Sequence, residues 1–381
     1  MLNIWTDWPL LRSTGLHASG FIDLKSVLDS ANNYKTLGDR IFEFNPDVPG
    51  SGYMYGSFLL RTLNFLQLNP TLNIFIGYVF IGLTIIMISI VVSGCQFKNK
   101  VIQTAFYVAV YAPFIWLLQE RGNLDILIFF LLFIACFMLS KNYVMTFYLL
   151  VILTALLKFY TLPLIIIPWL YKYRVQRFRK PKIGLLVLLL SYSCLQIFID
   201  LKRSPSFPAG AAAFFGTLNY ASWLDYFSAH FQLGIQVNSR LVQGIFVLIT
   251  LLAGYMTGKS NIFGTYSEAQ AKLSQEGKSN FSTILCISFS LLFLSCFLAG
   301  SNYDYRLLTL LVAGIIFLQY AKLSNFMKYI FYGLLMIAFW FSILAISNAY
   351  LQFIGDLAVN CWASISFGLL LQVYNKRNQI I

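Results

Sequence analysis

What most limits the fold of this chain is its series of long, nearly uncharged apolar stretches. Eleven are legible, at 72–94, 101–118, 123–140, 143–157, 160–171, 183–201, 239–257, 281–299, 306–320, 328–347 and 354–373. A helix needs about 20 apolar residues to cross a hydrocarbon core of about 30 Å, and the longest runs meet that length. The runs are continuous and do not alternate, which disfavours a β-barrel. With 59% hydrophobic and 11% charged residues, the chain has too little polar surface for a soluble domain of 381 residues. The expected fold is all-α: a polytopic integral membrane protein of about eleven membrane segments.

The net charge of +13 raises nucleic acid as a partner, but the positions of the cations argue against it. Lys98, Lys100, Lys141, six cations in 172–182, Lys259, Lys272, Lys278, Lys322, Lys328, Lys376 and Arg377 fall in connections on one side of the crossings. They make up 16 of the 27 cations, and positive residues mark the cytoplasmic side. The other side receives residues 1–70, Arg121, Lys158, the outer loop 202–238, residues 301–306 and the 348–353 turn. The polar residues 1–70 read as an extracytoplasmic segment without an evident cleavable signal peptide, followed by a helical domain over 71–381. The loop 258–280 is cytoplasmic.

The 143–171 stretch cannot be one spanning helix. At 1.5 Å per residue it would run about 44 Å, and it would set Lys141 and the 172–182 cations on opposite sides. Two short limbs meeting near Lys158, with Pro163 helping the break, form a re-entrant-like helical hairpin with both ends inside. Such a turn is tolerated where it is buried in protein or lines a cavity.

The suggestive polar groups gather on the outer side: Asp23, Asp29, Arg121, Asn123, Asp125, Lys158, Tyr160, Tyr303, Asp304 and Arg306. A lysine flanked by apolar runs, as in Leu156-Leu157-Lys158-Phe159-Tyr160, is costly in a bilayer and by default faces a cavity or an anion. Arg121 and Lys158 could instead snorkel to the interface. Asn123 and Asp125 sit where a helix starts, so capping and the helix dipole also account for them. Asp23 is a candidate N-cap of an amphipathic helix over 23–37 that Gly38 ends, with Leu24, Val27, Leu28 and Ala31 on one face. Asp304 could simply pair with Arg306. Asp225 and His230, on a helix-like stretch with Trp223, Tyr226, Phe227 and Phe231, suit a solvated face better than a catalytic pair. Six scattered cysteines without a CxxC pair and only two histidines give no metal-ligand pattern.

Three of these stretches, taken together, resemble a known family. Arg121-Gly122-Asn123-Leu124-Asp125, then Ala155-Leu156-Leu157-Lys158-Phe159-Tyr160-Thr161-Leu162-Pro163, is similar to the RGN…KxYP signature of the family-87 polyprenyl-phosphate-sugar glycosyltransferases, membrane enzymes of the GT-C fold. Gly300-Ser301-Asn302-Tyr303-Asp304-Tyr305-Arg306 resembles the NYxYR-like motif before a late helix in that group. Asp23, with Asn45-Pro46 downstream, looks like the first-loop aspartate that serves as general base; Asp29 is its rival. The chain departs from the family in lacking a membrane helix before that aspartate, and in carrying Phe159 and Thr161, with Pro163 one place late.

The resemblance implies an inverting transfer of a sugar, a hexose such as mannose, from a polyprenyl-phosphate donor to a glycan or glycolipid hydroxyl outside the plasma membrane. Arg121, Lys158 and Arg306 would hold the leaving phosphate, with Asn123, Asp125, Tyr160, Tyr303 and Asp304 beside them. A monophosphate leaving group carries less charge than a nucleotide diphosphate, so these cations could replace a divalent metal; no metal and no cofactor are expected. The alternative is a lipid or solute transporter with the same charges along its pathway. That reading expects inverted repeats and polar groups through the membrane depth, neither of which is evident. A non-catalytic scaffold would leave the one-sided polar cluster unexplained.

Overall fold

A computed structural model describes residues 21–43, 56–94, 100–112, 115, 118–119, 121–170, 180–203, 214–215, 217, 219–234, 238–259, 280–298, 302–320, 323–344 and 349–379. The expected turns at Asn45-Pro46 and Pro49-Gly50, most of the basic run 172–182, the stretch 204–213 and nearly all of the 258–280 loop lie outside these residues. The helices are α1 (Ile22–Leu37), α2 (Ser57–Phe65), α3 (Asn73–Gly94), α4 (Lys100–Val110), α5 (Asp125–Ser140), α6 (Val144–Leu157), α7 (Ile167–Leu170), α8 (Lys180–Arg203), α9 (Asn219–His230), α10 (Ser239–Lys259), α11 (Asn280–Leu298), α12 (Leu308–Tyr320), α13 (Asn325–Leu344) and α14 (Ala349–Gln379). Among the described residues, the one departure from helix pairing is a two-residue antiparallel ladder, β1 (Phe214–Phe215) on β2 (Asn302–Tyr303).

Four helical stretches are long and apolar enough to cross a membrane: Pro70–Val92, Ser239–Lys259, Phe281–Leu298 and Tyr350–Asn375. Six further apolar helices have 10–17 residues. A helix such as α5, with 16 residues, reaches only about 24 Å, short of a core of about 30 Å. Only 28% of the 70–92 span and 22% of the 239–259 span is buried, so most of their apolar surface faces outward. Ile74, Phe75, Ile85, Leu248 and Met256 are exposed there. Helices apolar on every side and so little covered belong in a non-aqueous medium. The architecture is that of a chain compatible with a helical membrane protein.

The expected polarity boundary at 70/71 describes composition; by contact the chain forms two compact units. The first comprises Ser19–Ser89 and Leu118–Phe207. In it, α1 buries Leu24, Val27, Leu28 and Ala31 along one face and ends at Gly38, whose φ of 55° suits a residue without Cβ. Ala31 joins Ile41, Phe42 and Leu60 in a small core. The α2 helix starts at Gly56, where a Cβ would overlap the Leu156 carbonyl at the end of α6. Its first turn is capped from another helix: Asp200 of α8 accepts from the Ser57 amide at 3.0 Å and the Ser57 hydroxyl at 3.2 Å. A carboxylate there meets unpaired N–H groups and the positive end of the helix dipole.

The hairpin of α5 and α6 turns at Asn142, a residue type that tolerates its φ of 64°. After α6 the chain breaks at Lys158, which is extended (φ −150°, ψ 121°), and continues as a 3-10 segment, Phe159–Ile166, containing Pro163. A proline at 163 would clash with the carbonyl of residue 159 in an α-helix, so the α path cannot run on. Thr154 Oγ1 donates to Thr161 Oγ1 at 3.1 Å. Seven residues of straight helix would set them about 10 Å apart, so the chain bends sharply at the break.

The second unit comprises the described parts of Ile90–Leu117 and Pro208–Ile381. Its α10 and α14 approach closely through glycines. A Cβ at Gly254 would come within 2.7 Å of the Ser364 carbonyl oxygen, and one at Gly258 within 3.1 Å of the Gly368 oxygen. Small residues four apart allow such backbone proximity between membrane helices. Thr250 donates to Asn360 Oδ1 at 2.9 Å and Gln372 to the Gly258 carbonyl at 3.0 Å across the same seam. Phe317, Phe331 and Trp362 meet with ring centroids 6.0–6.3 Å apart.

Candidate functional site

The N-terminus of α1 and the 121–125 turn are built around one aromatic side chain. Phe21 precedes α1 in the left-handed region (φ 65°, ψ 41°), a conformation costing a non-glycine residue about 1–2 kcal/mol. Its ring is buried and meets Tyr78 edge-on at 5.8 Å. A Cβ at Gly77 would overlap that ring, and one at Gly122 would lie 2.9 Å from the Phe21 Cβ. Gly122 also has φ 60°. The glycine between Arg121 and Asn123 therefore permits both the turn and the seat of α1 upon it. The Arg121 carbonyl then accepts from the Asp23 amide at 2.9 Å and the Leu24 amide at 3.4 Å.

Asp23 is thus not the N-cap. It lies inside the first turn, because a main-chain carbonyl from outside serves the amides that a cap would serve. Its carboxylate is turned to the 121–123 segment. Oδ1 accepts from Arg121 Nε at 2.8 Å and Nη2 at 2.5 Å, and Oδ2 accepts from Asn123 Nδ2 at 2.6 Å. Asn123, fully buried, uses its Oδ1 twice: it accepts from the Asp125 amide at 2.9 Å, opening α5, and from Lys158 Nζ at 3.3 Å. Lys158 forms an ion pair with Asp125 Oδ1 at 2.8 Å, and Tyr160 donates to the same oxygen at 2.7 Å. Asp125 has no exposed surface and Lys158 has 10% of its side chain exposed.

Three segments widely separated in the chain thus converge on one hydrogen-bonded cluster of Asp23, Arg121, Asn123, Asp125, Lys158 and Tyr160. Arg121 and Lys158 do not snorkel to an interface; each meets a carboxylate inside the unit, and the four formal charges sum to zero. An ion pair this buried is strongly sensitive to losing one partner, since the other is left uncompensated. Chemically, the cluster offers two cations and a bifunctional amide within reach of one another. Of the two carboxylates Asp23 alone is part-exposed, so it is the one an incoming oxyanion could displace from Arg121.

The rival Asp29 sits six residues further along α1. That spacing places it about 9 Å away and some 240° around the helix, on a different face from the cluster. Tyr303, Asp304 and Arg306 lie in the second unit. Tyr303 belongs to β2, and Asp304 and Arg306 to the 3-10 turn Asp304–Leu307 that leads into α12, where the Arg306 carbonyl accepts from Thr309 at 2.7 Å. The side chains of Tyr303 and Asp304 fall outside the described residues. Among the described residues no group of three or more His, Cys, Asp or Glu is placed to hold a metal ion.

Two acids escape a reading based on loops and motifs. Asp200 caps α2, and Gln196, one turn earlier on α8, donates to its Oδ1 at 3.1 Å and to Ser57 Oγ at 2.6 Å. Asp356, on α14, is buried; Trp223 Nε1 donates to its Oδ2 at 2.7 Å and the Tyr220 hydroxyl to its carbonyl at 2.7 Å. Burial pushes the Tyr220 phenol well above its ordinary pKa, and the charge of Asp356 adds to the shift. The signal was present in both cases: a lone acid inside an apolar run calls for a partner as much as Lys158 does. Asp225 and His230 are exposed on α9 and five residues apart, so they point to different sides of the helix and form no pair.

Comparison with protein-family models, curated proteins and solved structures finds no match to this chain. The functional reading rests on the residues and their geometry.

Proposed function

We propose that the chain is a membrane glycosyltransferase of GT-C type that moves a sugar from a polyprenyl-phosphate donor to an acceptor hydroxyl on the extracytoplasmic face of the plasma membrane. The observation that carries this reading is the meeting of Asp23, Arg121 and Lys158 around the Asn123 side chain. Two costly cations and one carboxylate, brought together from three segments, are what a phosphate leaving group and an acceptor hydroxyl require.

In the proposed step the donor phosphate takes the place of Asp23 on the Arg121 guanidinium, whose paired N–H groups match two phosphate oxygens. Lys158 supports it from the side of Asp125. Asp23, released, accepts the proton of the acceptor hydroxyl, a contribution of about 10²- to 10⁴-fold in rate. The acceptor oxygen bonds to the anomeric carbon from the face opposite the phosphate. The carbon–oxygen bond to phosphate breaks, and its electron pair leaves with the polyprenyl phosphate. The sugar is inverted. The hairpin as a guide for the lipid tail belongs to the same proposal.

The test is transfer from a radiolabelled polyprenyl-phosphate hexose by the purified full chain. Asp23→Asn and Lys158→Ala should each lower turnover by about 10²-fold or more, and a chelator should leave it unchanged. Full activity in both variants would remove the site assignment; loss with chelator would remove its metal-free character.

A second reading has its own observation, that each cation already has a carboxylate partner: the cluster is a clasp fastening α1 to the 121–125 turn and the Lys158 break. Exchanging the charges, Asp23→Arg with Arg121→Asp, separates the two. A clasp alone predicts that both folding and turnover survive the exchange. The donor-site reading predicts a folded protein without turnover.

A further inference from the structure

We propose that the pocket between the second half of α1 and the turn after α2 binds a polyhydroxylated ligand, a sugar residue held at the membrane surface. It has a volume of about 230 Å³ and lies well away from the charged cluster. Its lining residues on α1, Ala31 to Lys35, are 8 to 12 positions beyond Asp23, or about 12–18 Å along the helix axis.

The pocket is polar in a particular way. Asn32, Asn64, Gln67 and Asn69 bring four carboxamides to it, with Lys35 as its one cation. A carboxamide both donates and accepts, as a sugar hydroxyl does, whereas an anion needs donors alone. Asn64 sharpens the choice. Its Oδ1 is buried without a hydrogen-bond partner, an omission worth about 1–3 kcal/mol that the amide, turned to face the pocket, would relieve with a ligand O–H and not with a bare phosphate oxygen. Leu63, Leu68 and Pro70 complete the wall, which stays predominantly polar.

The wall is set in advance. Gln67 holds a left-handed turn (φ 51°) and donates its amide to the Asn64 carbonyl at 3.1 Å. Asn69 Oδ1 caps the Thr71 amide at 2.9 Å, ahead of the span that begins at Pro70. Preorganisation of this kind limits the entropy lost on binding. Phe65, Leu66, Ile74 and Phe75 are exposed beside the turn and at the start of α3, and such apolar groups suit the boundary of a bilayer. The ligand would be a glycolipid headgroup or a free glycan. Its role as an outlying part of the acceptor rests on the glycosyltransferase reading; its binding chemistry does not.

The full chain in phosphatidylcholine nanodiscs provides the test, without any donor. Three probes are compared: mannotriose in solution, a monoglucosyl diacylglycerol in the nanodisc, and inorganic phosphate. Saturation-transfer NMR reads the trisaccharide, phosphorus NMR line broadening reads phosphate, and native mass spectrometry reads the glycolipid. The expected result is sugar binding that weakens at least about tenfold in Asn64→Leu and in the solvent-side Gln67→Ala, and persists in Asp23→Asn. Binding of the glycolipid alone assigns a headgroup, and of the trisaccharide alone a free glycan. The proposal is overturned if neither sugar binds at about 10 mM, if binding is untouched in Gln67→Ala, or if phosphate binds through Lys35 and sugar does not. Sugar binding without any transfer activity would leave this site standing and the enzyme reading fallen.

Discussion

At Asp125 one carboxylate oxygen serves Lys158 and Tyr160 with no water in reach, so its substitutions rank the cluster's parts. Asp125→Ala leaves the lysine charge buried and should cost about 3–5 kcal/mol, whereas Tyr160→Phe removes one hydrogen bond and should cost about 1 kcal/mol. Removing the charge from both partners, Asp125→Asn with Lys158→Met, should recover much of the first loss. Melting of the purified variants measures this, and equal shifts for Asp125→Ala and Tyr160→Phe would show that the ion pair is not effectively buried. Gly122 and Gly38 form a second controlled comparison. Both have positive φ, of 60° and 55°, but an added methyl meets Phe21 at Gly122 and open space at Gly38. Gly38→Ala should therefore cost the backbone term alone, about 1–2 kcal/mol, and Gly122→Ala more. Equal losses would mean that the Phe21 seat is not what Gly122 provides.

Among the elements, the α10–α14 seam depends on backbone proximity. Gly254→Leu should lower the melting temperature sharply, because its Cβ would sit 2.7 Å from a carbonyl oxygen; Gly244→Leu on the same helix, with nothing within 4 Å, should be nearly silent. If both behaved alike, the small-residue contact would not hold this pair together. The helices themselves were largely legible in the sequence. The expected run 123–140 is α5, 239–257 is α10, and the break near Lys158 falls at that residue. Apolar length, glycine stops and proline sterics are local, so a local reading captures them. What escaped depends on partners far along the chain. Asp23 resembled an N-cap because capping is judged from neighbours, while its side-chain partners stand 98 and 100 residues on. Asp200 and Asp356 were absorbed into apolar runs for the same reason, and the Gly254–Gly258 spacing acquires meaning only once Gly368 lies opposite.

For the whole molecule, the decisive question is whether 143–171 crosses the membrane once or returns. The positive-inside bias requires Lys141 and the six cations of 172–182 to share the cytoplasmic side, which a single crossing would forbid. The bend at Lys158, with Thr154 bonded to Thr161, is the break that a return requires. Everything downstream inherits this parity. With a returning hairpin, the proposed function expects Asp23 and Lys158 on the face opposite Lys141. Single cysteines at Lys141, Lys172 and Asn32, in a background with the native cysteines replaced by serine, measure it directly. A membrane-impermeant maleimide applied to intact cells should label Asn32→Cys alone, and the two lysine positions only after lysis. Labelling of Lys172→Cys but not Lys141→Cys from outside would make the segment one crossing. The cation asymmetry would then dissolve, and with it the reason for placing the carboxylate, the guanidinium and the ammonium outside the cell.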